Sequence, residues 1–509
     1  MSRAVSPCTS GWIARRLSLA PAPPLALALA ALAGCGDNIE GVPEAILPEA
    51  VYAARCAEPR SGIDPGTQQA YPDTGGSMLD EKLWVRSWID DLYLWYSEVP
   101  DVDIRSYADA ADYFDQLRTP AITASGKLKD RFHFMYKTSD WEALSQSGTE
   151  ASYGIQWALL ADHVPRSLTV AYIEPGSPAS TAGITRGANI LTIDNTDFRT
   201  GDATALTNGM YPAAVGESHA FRLLDLGATT PRTVTLTSGN IALTPVLDVR
   251  TLPPPNDRVG YFHYTDHIAP AEKELVDAIN QLRTAAITDL VLDMRYNGGG
   301  YLDLASELAY MIAGPTATQG KVFERLTFND KHNSDPDNTP TLFATATEDF
   351  SLPGGQPLPY LGLGRVFVLT SADTCSASEA VMNGLAGAGV EVIQIGETTC
   401  GKPYGFFPED NCGTTFFAIQ FQGVNELGFG DYSDGFAPGQ HFHGCTVADD
   451  YDHLLGDPAE ARLAAALTYR ATGSCPSTTA RRSDTAPATA PAVIAKPLWR
   501  QNLIMRRRP

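Results

Sequence analysis

The sequence carries a serine and a lysine in two separate turns, each placed where an apolar segment ends. Ser376 lies in TCSASEA, after RVFVLTS and before the helical pattern SEAVMNGL, and Lys402 lies in IGETTCGK, after VEVIQIGE. A serine at a strand-to-helix turn lies among unpaired backbone N–H groups near the positive end of the helix dipole, which favours a developing oxyanion. Its position suits a nucleophile. Because neither a G-x-S-x-G elbow nor a histidine is nearby, the local sequence also fits a serine, Ser376 or Ser378, that only caps a helix.

Lys402 is the candidate general base for Ser376. If the two preceding strands are parallel neighbours, both turns lie at the same edge of a sheet. A lysine replaces histidine as a base when it is neutral, and burial lowers its pKa by disfavouring the ammonium form. The residues around it, TTCGKPYG, include no acid. The alternative is an ordinary surface charge, which is the commoner role of a lone lysine after a strand.

A glycine turn precedes the Ser376 and Lys402 turns in the sequence. The segment DLVLDMR is followed by YNGGGYLDLASELA, in which Gly298 and Gly299 let the backbone approach a ligand closely. Consecutive N–H groups in such a turn can form half of an oxyanion hole. No G-K-[ST] follows, so a phosphate-binding loop is disfavoured. A plain helix-start turn is the alternative.

The elements that position these turns alternate between strand and helix. From about residue 257 they are VGYFHYT, AEKELVDAINQLR, DLVLDMR, DLASELAYMIAG, RVFVLTS, SASEAVMNGLAG and VEVIQIGE. This alternation predicts a largely parallel sheet covered by helices. The insert at 315–360 is loop-like and is expected to border the site.

Two further regions precede this part of the chain. From residue 78 a tryptophan stripe at helical spacing predicts an amphipathic helix, followed by a second helix around 106–118. Between 150 and 245 the pattern changes to short strands, YGIQWALL, LTVAYIEP, ILTIDNT, HAFRLLDL and RTVTLTS, with a short helix after Pro178. This second arrangement resembles a PDZ domain.

Together, the three turns resemble one family. D-x-R-x-N-x-G-G in LDMRYNGGG, S-A-S-E in TCSASEA and G-E-x-x-x-G-K in IGETTCGK occur in the order found in the C-terminal processing peptidases, or tail-specific proteases. The resemblance covers roughly 80–470. It implies an α/β fold with a ClpP/crotonase-like catalytic core, an inserted or preceding PDZ-like β domain and an N-terminal helical segment. It also implies a serine-type peptidase acting on peptides or proteins through a Ser-Lys dyad, with neither a metal nor an organic cofactor.

The resemblance assigns a role to each reactive position. The nucleophile is Ser376 and the general base is Lys402. The oxyanion donors are the N–H groups of Ala377 and of the glycine turn, where Gly299 is favoured over Gly298. In the PDZ-like domain, the loop that receives a peptide's C-terminal carboxylate corresponds to Tyr153, Gly154, Ile155 and Gln156, although a β-rich spacer that binds nothing is the alternative.

One position departs from the family. Many members carry a glutamine four residues after the lysine, where it orients that side chain, but this chain has Phe406 in GKPYGFFPEDNCG. The orienting role is therefore either absent or filled by another group, with Gln420 or Gln422 as candidates. A non-catalytic lipoprotein that binds peptide C-termini through its PDZ-like domain is the second hypothesis. A Ser-His-Asp hydrolase using His441 or His443 is the third.

Composition and the N-terminus predict an exported protein. The first 34 residues combine Arg15 and Arg16 with the apolar run LALALAALAG, and Leu32-Ala33-Gly34-Cys35 resembles a bacterial lipobox. Cys35 would then carry the lipid, which predicts membrane anchoring in the cell envelope; ordinary secretion is the alternative. The net charge of −22 argues against a nucleic-acid partner.

The remaining cysteines and the two ends complete the prediction. Six cysteines outside the leader and Cys35 suggest disulfides, and about 15 pairings are conceivable, among them Cys400 with Cys412 or with Cys375. The absence of C-x-x-C argues against a zinc cluster. A basic, low-complexity tail ends the sequence and is predicted to be disordered; contact with anionic lipid or with the acidic body of the chain is the alternative. The predicted domains are a signal peptide at 1–34, a tether at 35–75, an N-terminal helical domain at 76–145, a PDZ-like domain at 150–245, a serine peptidase core at 255–470 and the tail at 471–509.

Overall fold

The structure is a computed structural model that describes residues 42–43, 45–64, 68–332, 339–477, 493–494 and 503–504. The predicted signal peptide and lipid-anchor residue Cys35 lie outside these residues. The chain divides into two compact units, Met1–Ala45 and Ile46–Pro509, and every element below belongs to the second. Within the described part of the chain, no helix has both the length and the apolar run needed to span a bilayer.

The N-terminal region is built around one amphipathic helix. Its elements are β1 (Arg55–Cys56), β2 (Thr74–Gly75), α1 (Met78–Leu92), α2 (Ala110–Phe114), β3 (Phe134–Lys137) and α3 (Thr138–Ser147), with 3-10 turns at Glu49–Val51, Tyr96–Glu98 and Ile104–Ser106. The buried rings of Trp84 and Trp88 stack on the inner face of α1, 5.6 Å apart. α2 is shorter than the predicted 106–118, because Asp109 caps its start by accepting the N–H of Asp112 at 2.8 Å.

The β-rich region has the predicted strands. Its elements are β4 (Thr149–Ser152), β5 (Ile155–Ala161), β6 (Ser167–Ile173), α4 (Pro178–Thr181), β7 (Asn189–Ile193), β8 (Thr196–Asp197), α5 (Ala203–Met210), β9 (Ser218–Leu224), β10 (Arg232–Thr237) and β11 (Gly239–Ala242). In the main sheet, β10, β9, β7, β6 and β5 are successive antiparallel neighbours, and β8 pairs with β7. β11 pairs with β4. An aromatic and aliphatic core around Trp157 and Phe221 lies beneath the main sheet.

The core region contains the predicted parallel sheet. Its first elements are β12 (Val246–Thr251), β13 (Val259–Tyr264), α6 (Ala271–Thr284), β14 (Asp289–Asp293), β15 (Gly300–Tyr301), α7 (Leu302–Ala313) and α8 (Pro315–Thr318). The next are β16 (Val322–Phe328), β17 (Thr341–Leu342), β18 (Arg365–Thr370), α9 (Ala377–Gly387) and β19 (Glu391–Gly396). The last are β20 (Tyr404–Gly405), β21 (Glu409–Asn411), β22 (Thr414–Phe417), β23 (Phe421–Val424), β24 (His443–Thr446) and α10 (Ala461–Thr472).

Parallel pairing joins β13, β14, β18, β19 and β24 in that order, with β12 antiparallel at one edge. The carboxyl ends of β14, β18 and β19 therefore meet at one edge, as the alternating pattern predicts. Helices α6, α7 and α9 pack on one face of the sheet through an extensive apolar core. The insert at 315–360 differs from the prediction, because β16 pairs with β17 and β23 rather than forming a loop.

Two short pieces of the basic tail pair with the body. β25 (Val493–Ile494) is antiparallel to β5, and β26 (Leu503–Ile504) is parallel to β15. The rest of the predicted disordered segment after Ser477 lies outside the described residues. Helix α10 and the disulfide at Cys475 carry described structure past the predicted boundary at residue 470.

Candidate active site

Ser376 lies between the end of β18 and the first residue of α9. Its side chain is fully buried, and its Oγ has no hydrogen-bond partner among the described residues. The backbone has a φ of 61°, a left-handed conformation that costs roughly 1–3 kcal/mol for a residue with a side chain. Ser376 is the N-cap residue of α9, and Glu379 in the first turn accepts its backbone N–H. The serine is at the same time available as a candidate nucleophile. It is held in a strained turn at the positive end of α9.

Lys402 follows β19 and is also fully buried. Its Nζ lies 4.5 Å from the ring centroid of Phe406 and 4.8 Å from that of Phe132. Burial lowers the pKa of Lys402 well below its usual range, against the opposing attraction of the Asp130 and Glu379 carboxylates. An amine in this state can accept a proton at neutral pH.

The side chain of Glu379 joins the two turns. Its Oε2 accepts the N–H of Ser376 at 2.9 Å and the N–H of Lys402 at 2.8 Å. Its Oε1 accepts the N–H of Gly401 at 2.9 Å and the hydroxyl of Thr399 at 2.5 Å. One carboxylate oxygen therefore connects the backbone of the serine to that of the lysine, which brings the two predicted residues together.

A disulfide and an arginine reinforce the same junction. Cys375 and Cys400, each close in sequence to a dyad residue, form a disulfide with a Cα–Cα distance of 5.1 Å. This resolves the alternative left open for Cys400, since Cys412 pairs with Cys56. Arg131, from the N-terminal region, donates to the carbonyl of Cys400 at 2.6 Å. The lysine turn is thus held from two sides.

Asn297 connects the glycine turn to the serine turn. Its backbone carbonyl accepts the N–H of Cys375 at 3.0 Å and the hydroxyl of Ser378 at 3.0 Å. Its side-chain Oδ1 accepts the N–H of Gly299 at 2.9 Å, so that N–H is already engaged. Among the described residues, by contrast, none accepts the N–H of Gly298 or of Ala377.

His267 was not identified from the sequence. The ring is buried against the glycine turn, and its Nδ1 lies 3.1 Å from Oδ1 of Asn297. Burial lowers the pKa of His267 to about 4, so the ring is neutral at physiological pH and Nδ1–H can donate to that oxygen. The close approach of this segment also requires a glycine at position 300, where a Cβ would lie 2.2 Å from the His267 carbonyl oxygen.

The other predicted residues lie away from the dyad or serve other contacts. The amides of Gln420 and Gln422 donate to the carbonyls of Phe407 and Gly430, respectively. His441 stacks on Phe429 with ring centroids 4.1 Å apart. His443 lies exposed at the start of β24. No signal in the sequence distinguished Phe132 or Arg131, because they come from the N-terminal region.

The candidate peptide-binding residues begin β5 and the loop before it. Tyr153 and Gly154 form the loop, and Ile155 and Gln156 open the strand. Tyr153, Ile155 and Gln156 line a cavity of about 530 Å³ that extends to the end of α5 at Met210. Gly154 lies between lining residues, and its role in peptide binding stays a prediction.

Two family models match the chain. Residues 258–406 match Peptidase family S41, and residues 80–134 match the Peptidase S41 N-terminal domain. The first range contains Ser376, Lys402 and the glycine turn, and the second contains Arg131 and Phe132. The site is thus assembled from residues of both matched ranges.

Known proteins resemble different shares of the chain. A carboxyl-terminal-processing protease of Picosynechococcus sp. is 30% identical over 279 residues, 54% of this chain and 60% of that protein. A carboxyl-terminal-processing protease of Synechocystis sp. is 33% identical over 137 residues, 26% of this chain and 31% of that protein. The chain thus spans less than two thirds of the length of these curated relatives. A crystal structure described as that of an S41 protease from Bacteroides fragilis superposes with a TM-score of 0.60 at 22% identity, covering 79% of this chain and 98% of that one, a likeness of fold alone.

These matches confirm the predicted resemblance to the C-terminal processing peptidases. They also confirm the fold class, an α/β protease-like core with an additional β domain and an N-terminal helical segment. The PDZ-like assignment and the lipoprotein signal stay predictions.

Proposed function

We propose that this relative of the carboxyl-terminal-processing proteases is a serine endopeptidase that cleaves peptide or protein substrates with a Ser376–Lys402 dyad. The observation that carries the proposal is the shared Glu379 carboxylate, which holds an unpartnered serine hydroxyl beside the turn of a buried lysine of lowered pKa. A free hydroxyl and a neutral amine on adjoining turns are what nucleophilic acyl transfer needs.

The reaction proceeds by acyl transfer through the serine. Neutral Lys402 takes the hydroxyl proton of Ser376 as the oxygen attacks the scissile carbonyl carbon. The resulting ammonium then gives that proton to the leaving amine as the C–N bond breaks, which leaves an acyl-enzyme. Water attacks this ester with Lys402 again acting as base, and the product acid departs with Ser376 restored.

Backbone N–H groups stabilise the tetrahedral oxyanion. Ala377 supplies one donor at the start of α9, where the helix dipole adds to the stabilisation. For the second donor, the engaged N–H of Gly299 favours Gly298 in the present conformation. This reverses the preference drawn from the sequence, and a rotation of the glycine turn on substrate binding would restore it.

We assign the substrate-recruiting role to the β-rich region. The loop at Tyr153–Gly154 and the strand that follows it support peptide capture by strand addition, with a peptide C-terminus in the loop. Binding without cleavage is the second candidate function. The departure at Phe406 gives it weight, whereas the retained Ser376 and Lys402 weigh against it.

The proposed location is the bacterial cell envelope, facing the periplasm or the exterior, with a lipid on Cys35. The six cysteines of the described residues all form disulfides, Cys56–Cys412, Cys375–Cys400 and Cys445–Cys475. Disulfides persist in oxidising compartments, which supports export. Growth with labelled palmitate would test the anchor, because a Cys35→Ser variant should lose the label.

A fluorophosphonate probe tests the nucleophile. We expect labelling of the wild-type protein and complete loss of the label in Ser376→Ala, because the probe traps an activated serine. Ser378→Ala is the matched control, two residues further along the chain, and should keep the label. Absence of labelling in correctly folded wild-type protein, judged by circular dichroism, would favour the binding function instead.

Two substitutions of Phe406 test what keeps Lys402 neutral. Phe406→Ala opens the apolar wall to water, so the pKa of Lys402 should rise and the acidic limb of kcat/KM should move to higher pH. Phe406→Leu keeps the wall apolar but removes the ring that favours the ammonium, so that limb should move to lower pH or stay unchanged. Measuring kcat/KM between pH 5 and 10 separates the two. Upward shifts of similar size in both variants would contradict the desolvation account.

A further inference from the structure

The basic tail contributes a strand to each of two separate sheets. β25 extends the β-rich sheet at β5, and β26 pairs beside the glycine turn at β15. We infer that the tail strands β25 and β26 bind the chain's own peptide-binding edge and candidate active site, so that the tail competes with substrate. This inference rests on the proposed function, and it names the chain's own tail as a ligand of the proposed substrate site.

The pairing at β5 has the geometry of peptide capture. Val493 pairs with Leu159 and Ile494 with Ala158, antiparallel, on the edge of β5 opposite β6. Because the pairing is antiparallel, β25 itself runs from Val493 to Ile494 in the direction of the start of β5. This is the mode by which an extended peptide adds a strand to an exposed sheet edge.

The pairing at β15 lies directly beside the glycine turn. Leu503 pairs with Gly300 and Ile504 with Tyr301, directly after the glycine turn. β26 also comes within 8 Å, measured between Cα atoms, of β20, which follows Lys402. The strand thus pairs with the segment that follows the glycine turn and lies close to the segment that follows Lys402.

Burial of the dyad agrees with an occupied site. Ser376 and Lys402 have no exposed surface, so a substrate carbonyl can reach the hydroxyl only after a covering segment moves. β26 lies near both turns and pairs outside the main parallel sheet, so in this inference it is the segment that moves.

The length and the charge of the tail are compatible with simultaneous pairing at β5 and at β15. Nine residue steps separate Ile494 from Leu503, which an extended chain spans over about 30 Å. Residues 478–509 carry seven basic groups and the single acid Asp484, while the whole chain has a net charge of −22. The tail is therefore attracted to the acidic body that it contacts.

Truncation after Ser477 tests the inference. We expect kcat/KM for an unstructured peptide substrate to rise about tenfold or more, because a tethered segment competes at an effective concentration near the millimolar range. A synthetic peptide of residues 490–509 should inhibit the truncated protein competitively, raising KM with kcat unchanged. Removing only residues 505–509 is the control, since it deletes three arginines but keeps both strands, and it should change kcat/KM by less than about twofold.

Hydrogen exchange provides a readout that needs no activity. In the Ser376→Ala background, amides of residues 155–161 and 300–301 should exchange faster in the truncated protein than in the full chain. The mass of the full chain is measured first, to verify that its tail is intact. Unchanged exchange, together with an active truncated protein of unchanged kcat/KM, would overturn the inference and leave the proposed function standing. Faster exchange with no hydrolysis by either the full or the truncated protein would instead support tail binding and contradict the proposed peptidase function.

Discussion

Replacing Lys402 with methionine is expected to lower kcat/KM about 10³- to 10⁴-fold without weakening the fold. A positioned general base contributes up to about 10⁴-fold, and a thioether cannot accept the serine proton. Methionine approximates the volume of lysine, and sulfur packs well against the rings of Phe132 and Phe406. Because the buried amine is costly to desolvate, the variant should be at least as stable as the wild type.

Comparing Lys402→Arg with Lys402→Met separates the role of Lys402 as a base from the effect of its positive charge. Lys402→Arg keeps a cation near the oxyanion but cannot become neutral, so we expect it to be as inactive as Lys402→Met and less stable. Hydrolysis of a denatured protein, with thermal melts of each variant, measures both effects. Lys273→Met, an exposed lysine on α6, is the matched control and should keep full activity. If Lys402→Met kept its activity and a His441 variant lost it, the general base would be a histidine and the assignment of Lys402 would be wrong.

Local patterns predicted the elements that carry the dyad. Each of β14, β18 and β19 is an apolar run followed by a turn and, for the first two, a helix, and such alternation leaves few topologies other than a parallel sheet. Once the strands are parallel neighbours, their ends meet at one edge, and the placement of Ser376 and Lys402 follows. The candidate base could therefore be identified 26 positions from the serine.

The walls and partners of the site could not be predicted in this way. Phe132 and Arg131 approach Lys402 from a region about 270 residues earlier, and no periodicity reports a contact between regions. The engaged N–H of Gly299 depends on the rotamer of Asn297, which a turn motif does not encode. The sequence likewise offers no signal for β16 or the tail strands, since pairing at an edge depends on which edge is open.

Glu379 shows how a residue's local and tertiary roles diverge. From the sequence it is an acid in the first turn of a helix, favourable to the dipole and otherwise ordinary. In the structure its carboxylate is the acceptor for three backbone N–H groups and a hydroxyl, all buried. The same residue that caps α9 thus joins the turn of Ser376 to the turn of Lys402.

We therefore expect Glu379→Gln to be nearly as damaging as Glu379→Ala, although it is isosteric. A glutamine has one acceptor oxygen, so its NH₂ must face either the N–H groups of Ser376 and Lys402 or that of Gly401. Unsatisfied buried donors cost about 1–3 kcal/mol each, which predicts a loss of about 2–4 kcal/mol in the free energy of unfolding. A displacement of the turns by as little as 1 Å predicts a fall of about 10²-fold in kcat.

Denaturant unfolding and steady-state kinetics of both variants measure the two effects. Glu391→Gln, an exposed glutamate at the start of β19, is the matched control and should change stability by less than about 0.5 kcal/mol. If Glu379→Gln kept more than half of the wild-type kcat, the carboxylate would be a cap and no more. The alignment of Ser376 with Lys402 would then rest on the Cys375–Cys400 disulfide and the Arg131 contact, and reducing that bond should lower activity.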